Sequence, residues 1–199
     1  MLYRRLPKRL FESTTILPVY LVLHHFHLTM TSLGYALLNG NGVEQDIQEG
    51  LMWIQRGALE GDDKASIFMG NIFEKGEIIQ CDPEKAFTWY SRAAHRNSPH
   101  GMYMLGLAYE NGLFVESDLN EAFTWYENAA RFNHPDACYK MGLRYSRSDL
   151  FEDCDYREAL RWFRISAKGG NAAAMYLVCK IIENELVDGE DDGDEALDG

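Results

Sequence analysis

The sequence predicts an all-α solenoid of about four 36-residue repeats, each forming a helix–turn–helix, followed by a C-terminal capping helix. Two residue types report this period independently. Tryptophans stand at Trp53, Trp89, Trp125 and Trp162, and glycines at Gly34, Gly70, Gly106 and Gly142. The glycines are 36 residues apart, and the tryptophans are separated by 36, 36 and 37 residues. Because two unrelated residue types keep the same phase, the period reflects a structural repeat.

The apolar residues within one period predict two helices. In the third repeat Leu105 and Tyr109 share one helical face, and Trp125 and Ala129 share another, because residues four apart lie on the same side of a helix. Alternating patterns typical of strands are missing. The repeats are expected at about residues 29–62, 63–98, 99–134 and 135–171, with the capping helix at about residues 171–185.

Small residues recur at fixed positions in these helices. Glycine destabilises a helix interior by about 1 kcal/mol relative to alanine, so its recurrence predicts close approach of another helix backbone. The alanine pair that closes the third repeat, Ala129 and Ala130, is expected to allow the same approach. Trp125 and Tyr126 are then expected to fill the wedge between repeats.

The composition is that of a globular domain with an acidic end. Of the 199 residues, 46% are hydrophobic and 25% charged, which excludes collagen-like and wholly disordered chains. The formal net charge of -12 would repel a phosphate backbone, so no nucleic-acid partner is expected. Residues 183–199 contain nine acids and no base, and residues 186–199 are predicted to form a disordered acidic tail.

Residues 1–28 are expected to form a basic and apolar leader or a cap on the first repeat. Four bases precede the apolar run Ile16–Leu23, in the outline of a short signal peptide. The run contains Pro18 and is not followed by a clear cleavage site. A cytoplasmic location is therefore expected, with export as the alternative. No run of about 18 apolar residues occurs, so stable membrane insertion is not expected.

The sequence contains no motif of a catalytic or cofactor-binding site. GxSxG, HExxH, GxGxxG and a phosphate loop ending in GKS or GKT are all missing. No metal is expected either, because His24, His25 and His27 have no cysteine or carboxylate set beside them. The cysteines form no CxxC pair and are expected to be free thiols. They are Cys81, Cys138, Cys154 and Cys179.

The third repeat shows the complete pattern. It reads Gly101-Met-Tyr-Met-Leu-Gly-Leu-Ala-Tyr109, continues as Glu121-Ala-Phe-Thr-Trp-Tyr126, and closes on an alanine pair. This pattern resembles the Sel-one-like repeat, a relative of the tetratricopeptide repeat, over about residues 29–185. The resemblance implies a right-handed superhelix whose concave face holds a segment of another protein. A non-catalytic interaction module, or adaptor, is therefore expected.

The resemblance also implies narrower functions. One is a stoichiometric inhibitor or immunity-type protein that masks a basic effector, which the acidic composition would suit through electrostatic steering. The alternative from another class is a small penicillin-binding or β-lactamase-like hydrolase, because some relatives are linked to such activities. That chemistry would need a serine three residues before a lysine, and the sequence contains no SxxK.

The resemblance further implies which residues contact the partner. In the tetratricopeptide array the concave face is formed by positions two before, two after and five after the leucine of Leu-Gly. Those positions select Tyr35, Ile67, Asn71, Glu74, Tyr103, Leu107, Glu110, Tyr139, Leu143, Tyr176 and Lys180. Tyr103, Tyr139 and Tyr176 are equivalent in successive repeats and predict a ladder of rings suited to apolar peptide anchors. At helical spacing the same tyrosines can instead be core residues packed between first helices.

Overall fold

The computed structural model describes residues 26–146 and 155–183, which form nine helices and no strand. The helices are α1 (Phe26–Asn39), α2 (Ile47–Glu60), α3 (Asp63–Lys75), α4 (Pro83–Ala94), α5 (Pro99–Asn111), α6 (Leu119–Ala130), α7 (Pro135–Ser146), α8 (Tyr156–Lys168) and α9 (Ala172–Glu183). The predicted all-α class is confirmed. The chain divides into two compact units, one ending at Gly101 and the other beginning at Met102.

The first unit consists of helix pairs that pack through small residues and a shared core. Helix α1 packs on α2, and α3 packs on α4. A Cβ on Gly34 would lie 2.7 Å from the carbonyl oxygen of Gly50, so these two helix backbones are in close contact. Helices α2 and α3 also touch. Ile54 of α2 joins Met69 and Trp89 in one apolar cluster, which holds the first two helix pairs together.

The second unit contains the same kind of helix packing. Helix α7 packs between α6 and α8, and α8 packs on α9. Phe163 of α8 is fully buried, and its ring lies over Gly142 of α7. The hydroxyl of Ser166 donates a hydrogen bond of 2.7 Å to the carbonyl oxygen of Pro135. The apolar core extends to Ala174 and Ile181 of α9.

An aspartate precedes the second helix of each pair, and a glycine follows the first helix in three of the pairs. Asp46, Asp82, Asp118 and Asp155 cap the second helices by accepting hydrogen bonds from backbone N–H groups two or three residues later. Gly40, Gly76 and Gly112 follow the first helices with φ angles of 68°, 69° and 66°, a left-handed conformation that favours glycine. These recurring residues therefore mark where the first helix ends and the second begins.

In three of the four repeats the mid-helix glycine accommodates an aromatic side chain. The sequence instead predicts that it accommodates the backbone of another helix. Tyr90 covers Gly70, Tyr126 covers Gly106, and Phe163 covers Gly142. At Gly34, in contrast, the three atoms nearest to the Cβ position include a facing backbone oxygen, that of Gly50 at 2.7 Å. Tyr90 and Tyr126 thus lie between the two helices of their own repeats. The sequence predicts a different place for this tyrosine, in the wedge between neighbouring repeats. Trp89, in contrast, does belong to a cluster that joins two repeats.

Some expectations concern residues outside the described part. These are most of the leader (residues 1–25), Cys154, and the acidic tail. Cys81, Cys138 and Cys179 carry free thiols. No helix in residues 26–146 and 155–183 has the length and apolar character needed to cross a membrane. Within the same ranges, no three histidine, cysteine or acidic side chains are grouped so as to hold a metal ion.

Candidate partner-binding face

The predicted partner-binding residues all lie on first helices, and none of them is fully buried. The first unit contains Tyr35, Ile67, Asn71 and Glu74, and the second contains Tyr103, Leu107, Glu110, Tyr139, Leu143, Tyr176 and Lys180. We refer to these residues as the first-helix face. Each is therefore accessible, at least in part, on its own unit. That both sets line one groove stays a prediction.

In the first unit the exposed carboxylate of Glu74 is held in place by a buried tyrosine. The Tyr90 hydroxyl donates to Oε2 of Glu74 over 2.7 Å and lies 2.7 Å from Oδ1 of Asn71. Burial, together with the hydrogen bond and negative charge of Glu74, raises the pKa of Tyr90 well above its ordinary value. The phenol therefore stays protonated at neutral pH and keeps donating. Glu74 presents a fixed negative charge to solvent.

The second unit repeats this arrangement and adds a cation. Tyr126 donates its hydroxyl proton to Oε2 of Glu110. Lys140 of α7 brings its ammonium group within 2.9 Å of Oε1 and 2.7 Å of Oε2 of the same carboxylate. The ammonium also lies 5.6 Å from the centre of the Tyr126 ring, a cation–π distance. Lysine, carboxylate and tyrosine thus form one partly buried cluster.

The carboxylates of Glu74 and Glu110 differ in whether a cation is paired with them. Glu74 and Glu110 occupy the same place in successive repeats, as do Tyr90 and Tyr126. Glu110 is paired with Lys140. Within the described ranges no ion pair is found for Glu74, and the residue one repeat before Lys140 is Met104. Among the described residues, Glu74 is therefore a copy, without a paired cation, of a carboxylate that binds a lysine in the second unit.

The three ladder tyrosines share a register but not an environment. Tyr103 is half-buried and stacks on His134 with ring centres 4.9 Å apart. Tyr139 is half-buried against Phe163 of α8, at 5.9 Å. Tyr176, in contrast, is 66% exposed. Two of the tyrosines therefore pack against neighbouring rings, and one is open to solvent.

The remaining residues of the face add apolar and charged surface. Ile67 and Leu107 are half-buried, and Leu143 packs against the core cluster of the second unit. Tyr35 meets Phe68 edge-to-face at 4.7 Å. Lys180 is exposed on α9. The face thus combines partly exposed apolar side chains with a few charges, as is typical of a protein-binding surface.

The sequence analysis missed the residues that fix the two carboxylates. The sequence places Tyr126 in the wedge between repeats, and it singles out neither Tyr90 nor Lys140. The sequence does contain a signal for this arrangement. Glu74 recurs 36 residues later as Glu110, and Tyr90 recurs 36 residues later as Tyr126. Periodicity identified both residue types but could not indicate that the hydroxyl of one reaches the carboxylate of the other.

The chain matches a family model over most of its length. The Sel1 repeat model matches residues 28–62, 63–98, 99–133 and 135–171. A comparison with curated proteins finds no match.

Several solved structures are similar to this chain. A Sel1 repeat protein from Oxalobacter formigenes is 24% identical with a TM-score of 0.70, over 82% of this chain and 68% of that protein. The protective antigen c5321 of uropathogenic Escherichia coli, which displays an SLR fold, is 23% identical with a TM-score of 0.58, over 85% of this chain and 44% of that protein. The immunity protein Pa5087 from Pseudomonas aeruginosa is 21% identical with a TM-score of 0.54, over 82% of this chain and 60% of that protein.

These identities are low, so the structural similarities show a shared fold alone. The fold is a helical solenoid, as the sequence predicts. Four consecutive matches to one repeat model, covering most of residues 28–171, show the family directly. The chain belongs to the Sel1 repeat family.

Proposed function

We propose that the chain is a non-catalytic partner-binding module whose first-helix face holds a basic segment of another protein. Sel1 repeat proteins typically mediate protein–protein interaction and are generally non-catalytic scaffolds. The proposal adds the chemistry of the partner. A lysine or arginine of the bound segment would pair with Glu74, and the apolar residues of the face would contact its neighbours.

The observation that supports this proposal is the repeated carboxylate–tyrosine pair. In the second unit Lys140 already occupies this pair at 2.7 Å, which defines the cation that the arrangement accepts. Glu74 has the same tyrosine support and is exposed. A carboxylate held in one position loses little side-chain entropy when it binds, so it contributes more than a freely moving glutamate would.

The overall charge favours the same kind of partner. A net charge of -12 attracts basic proteins over long range and raises their rate of association at low ionic strength. A stoichiometric inhibitor that masks a basic effector is one form of this function. The fold that the chain shares with an immunity protein is compatible with such an inhibitor. The negative net charge is the physical property that supports it.

A peptide library displayed on phage tests the proposal without a known partner. Selection against the full chain should enrich peptides with a lysine or arginine next to apolar residues. Glu74→Gln keeps the shape of the side chain and removes its charge, and should weaken the selected peptides about tenfold, the range found for charge-assisted contacts. Glu60→Gln is the matched control, because Glu60 is an exposed glutamate of the same unit on a second helix.

Two results would contradict the proposal. The first is a selected set without any preference for basic residues. The second is equal binding to the wild-type chain and to Glu74→Gln. The hydrolase alternative has its own test, because a reporter β-lactam incubated with the protein should stay intact if no SxxK-type nucleophile acts on it.

A further inference from the structure

Three asparagines of the described residues are each followed by glycine, the sequence context in which an asparagine side chain most readily loses ammonia. They are Asn39, Asn41 and Asn111, and all three are exposed. Asn39 and Asn111 are the last residues of α1 and α5 and occupy equivalent positions two repeats apart. Asn41 lies beyond the end of α1, in the loop that leads to α2. The two helix-end pairs therefore serve as internal references for the loop pair.

The loss of ammonia is an intramolecular ring closure. The backbone nitrogen of the glycine attacks Cγ of the asparagine, a C–N bond forms, and the side-chain nitrogen leaves as ammonia with the glycine N–H proton. Water then opens the cyclic imide at either of its carbonyl carbons, which yields aspartate or isoaspartate. Both products carry a new negative charge, and isoaspartate also adds a carbon to the main chain. The reaction needs a movable side-chain amide, a free glycine N–H and space around the glycine.

At the two helix ends the side-chain amide is tied to the helix. Nδ2 of Asn39 donates to the carbonyl oxygen of Tyr35 over 2.9 Å, and Nδ2 of Asn111 donates to that of Leu107 over 3.0 Å. Both asparagines also have helical backbone, which holds the following nitrogen in the helical turn. Ring closure at either site therefore requires that a hydrogen bond and the last turn open first.

The glycines that follow these asparagines differ in the same sense. The Cβ position of Gly40 lies 3.5 Å from Cβ of Gln45, and that of Gly112 lies 3.3 Å from Cβ of Ser117. In the described part of the chain, no atom comes within 4 Å of the Cβ position of Gly42. The space that an imide ring needs is therefore open at Gly42 and partly filled at the other two glycines.

Asn41 meets all three conditions for the reaction. Its own N–H donates to the carbonyl oxygen of Ala36 over 2.9 Å, but among the described residues no hydrogen bond holds its side-chain amide or the N–H of Gly42. We infer that Asn41 is a site of spontaneous deamidation in the folded protein, and that the fold protects Asn39 and Asn111. Water is the co-reactant. The products are ammonia and an aspartyl or isoaspartyl residue in place of Asn41.

The modified loop is one that fastens α1 to α2. The N–H of Asp46 donates to the carbonyl oxygen of Leu37 over 3.0 Å. Val43 of the same loop packs against the apolar cluster that contains Leu37 and Trp53. An extra main-chain carbon at Asn41 lengthens the loop between these fixed contacts and so displaces Val43 or breaks the hydrogen bond. Isoaspartate therefore loosens the join between the two helices, whereas aspartate adds charge alone.

Incubation of the full chain at mildly alkaline pH tests the site directly. Tandem mass spectrometry with electron-based fragmentation follows each asparagine separately and distinguishes isoaspartate from aspartate. In the folded chain Asn41 should react about tenfold faster than Asn39 or Asn111, because their hydrogen bonds and helix ends must open first. In urea, which unfolds the helices, the three rates should come within about threefold of one another.

Three variants separate the chemistry from its structural effect. Asn41→Ser removes the reacting amide and should leave only the slow reaction at the helix ends. Asn111→Ser is the matched control and should leave the rate at Asn41 unchanged. Hydrogen exchange of the Asp46 N–H reports on the loop, and incubated wild-type protein should lose protection there. Asn41→Ser incubated in the same way, and freshly purified Asn41→Asp, should both keep that protection.

The site assignment is overturned if the three asparagines react equally fast in the folded chain, or if Asn41→Ser deamidates as fast as the wild type. The structural effect is overturned if fresh Asn41→Asp loses protection at Asp46 as fully as incubated wild-type protein, because charge alone would then loosen the loop. None of these measurements involves Glu74, so their failure leaves the proposed function of the first-helix face standing.

Discussion

Replacing Gly106 with alanine tests whether an aromatic ring fixes the spacing between paired helices. Gly106 lies beneath Tyr126, and an added Cβ would come 2.5 Å from Cδ1 of that ring. The ring cannot easily move away, because Tyr126 is 1% exposed and its hydroxyl is bound to Glu110. The substitution therefore forces either the ring or the helix backbone to shift.

Two opposing terms determine the size of the effect. Alanine favours the helix by about 1 kcal/mol relative to glycine. Overpacking a core by one carbon usually destabilises by about 1–3 kcal/mol, and a contact this short belongs at the upper end. We expect Gly106→Ala to lower the free energy of unfolding by about 1–2 kcal/mol net.

The same substitution in a protein that lacks the Tyr126 ring isolates the contribution of the contact between that ring and residue 106. In a Tyr126→Leu protein the ring is gone, so adding Gly106→Ala should raise the free energy of unfolding by up to about 1 kcal/mol. Urea unfolding followed by circular dichroism measures both values. Gly142→Ala should be somewhat less harmful than Gly106→Ala, because Phe163 is as buried as Tyr126 but has no hydroxyl group to hold its ring in place. If Gly106→Ala stabilises the wild-type protein, the ring does not fix the helix spacing and the reasoning fails.

Further expectations concern thiols, the ion pair and pH. Burial raises the pKa of Cys138 to about 11, so iodoacetamide at neutral pH should label Cys179 and leave Cys138 unmodified until the protein unfolds; equal labelling would contradict this. Lys140→Ala should destabilise by about 1 kcal/mol, less in high salt, and a salt-independent loss would argue against the ion pair with Glu110. Burial and the charge of Glu110 also raise the pKa of Tyr126 above 10. The folded state then keeps a proton that the unfolded state releases, so stability is complete below about pH 10 and falls above it. In Tyr126→Phe the slope of that fall should be shallower by about 1.4 kcal/mol per pH unit, as urea titrations would show, and an unchanged slope would refute it.

The fold was predictable because its signals are local and repeated. Asp82 followed by Pro83 indicates a helix start, and the structure shows the Asp82 side chain capping α4 through the N–H of Lys85. Gly76 indicates the end of α3 for an equally local reason, because the backbone there adopts a left-handed φ that favours glycine. Each such feature depends on a few neighbouring residues, and the 36-residue period confirms it several times.

The candidate site was less predictable because contacts between helices decide it. The register made Tyr103 and Tyr176 equivalent, but their exposure depends on the helix that follows each in space. His134 and α6 cover the first, whereas nothing in the described residues covers the second to the same extent. Similarly, Glu74 and Glu110 have equivalent sequence positions, and the contact of Lys140 from the next repeat distinguishes their charge environments.

The central claim, that Glu74 accepts a basic group of a partner, is tested most directly by counting binding sites. Isothermal titration with one lysine-containing peptide from the library should give one site on the wild-type chain. Glu74→Gln should abolish that site, and Lys140→Ala should create a second one by freeing Glu110 and its tyrosine support. One site in all three proteins would show that the peptide binds elsewhere and would contradict the account.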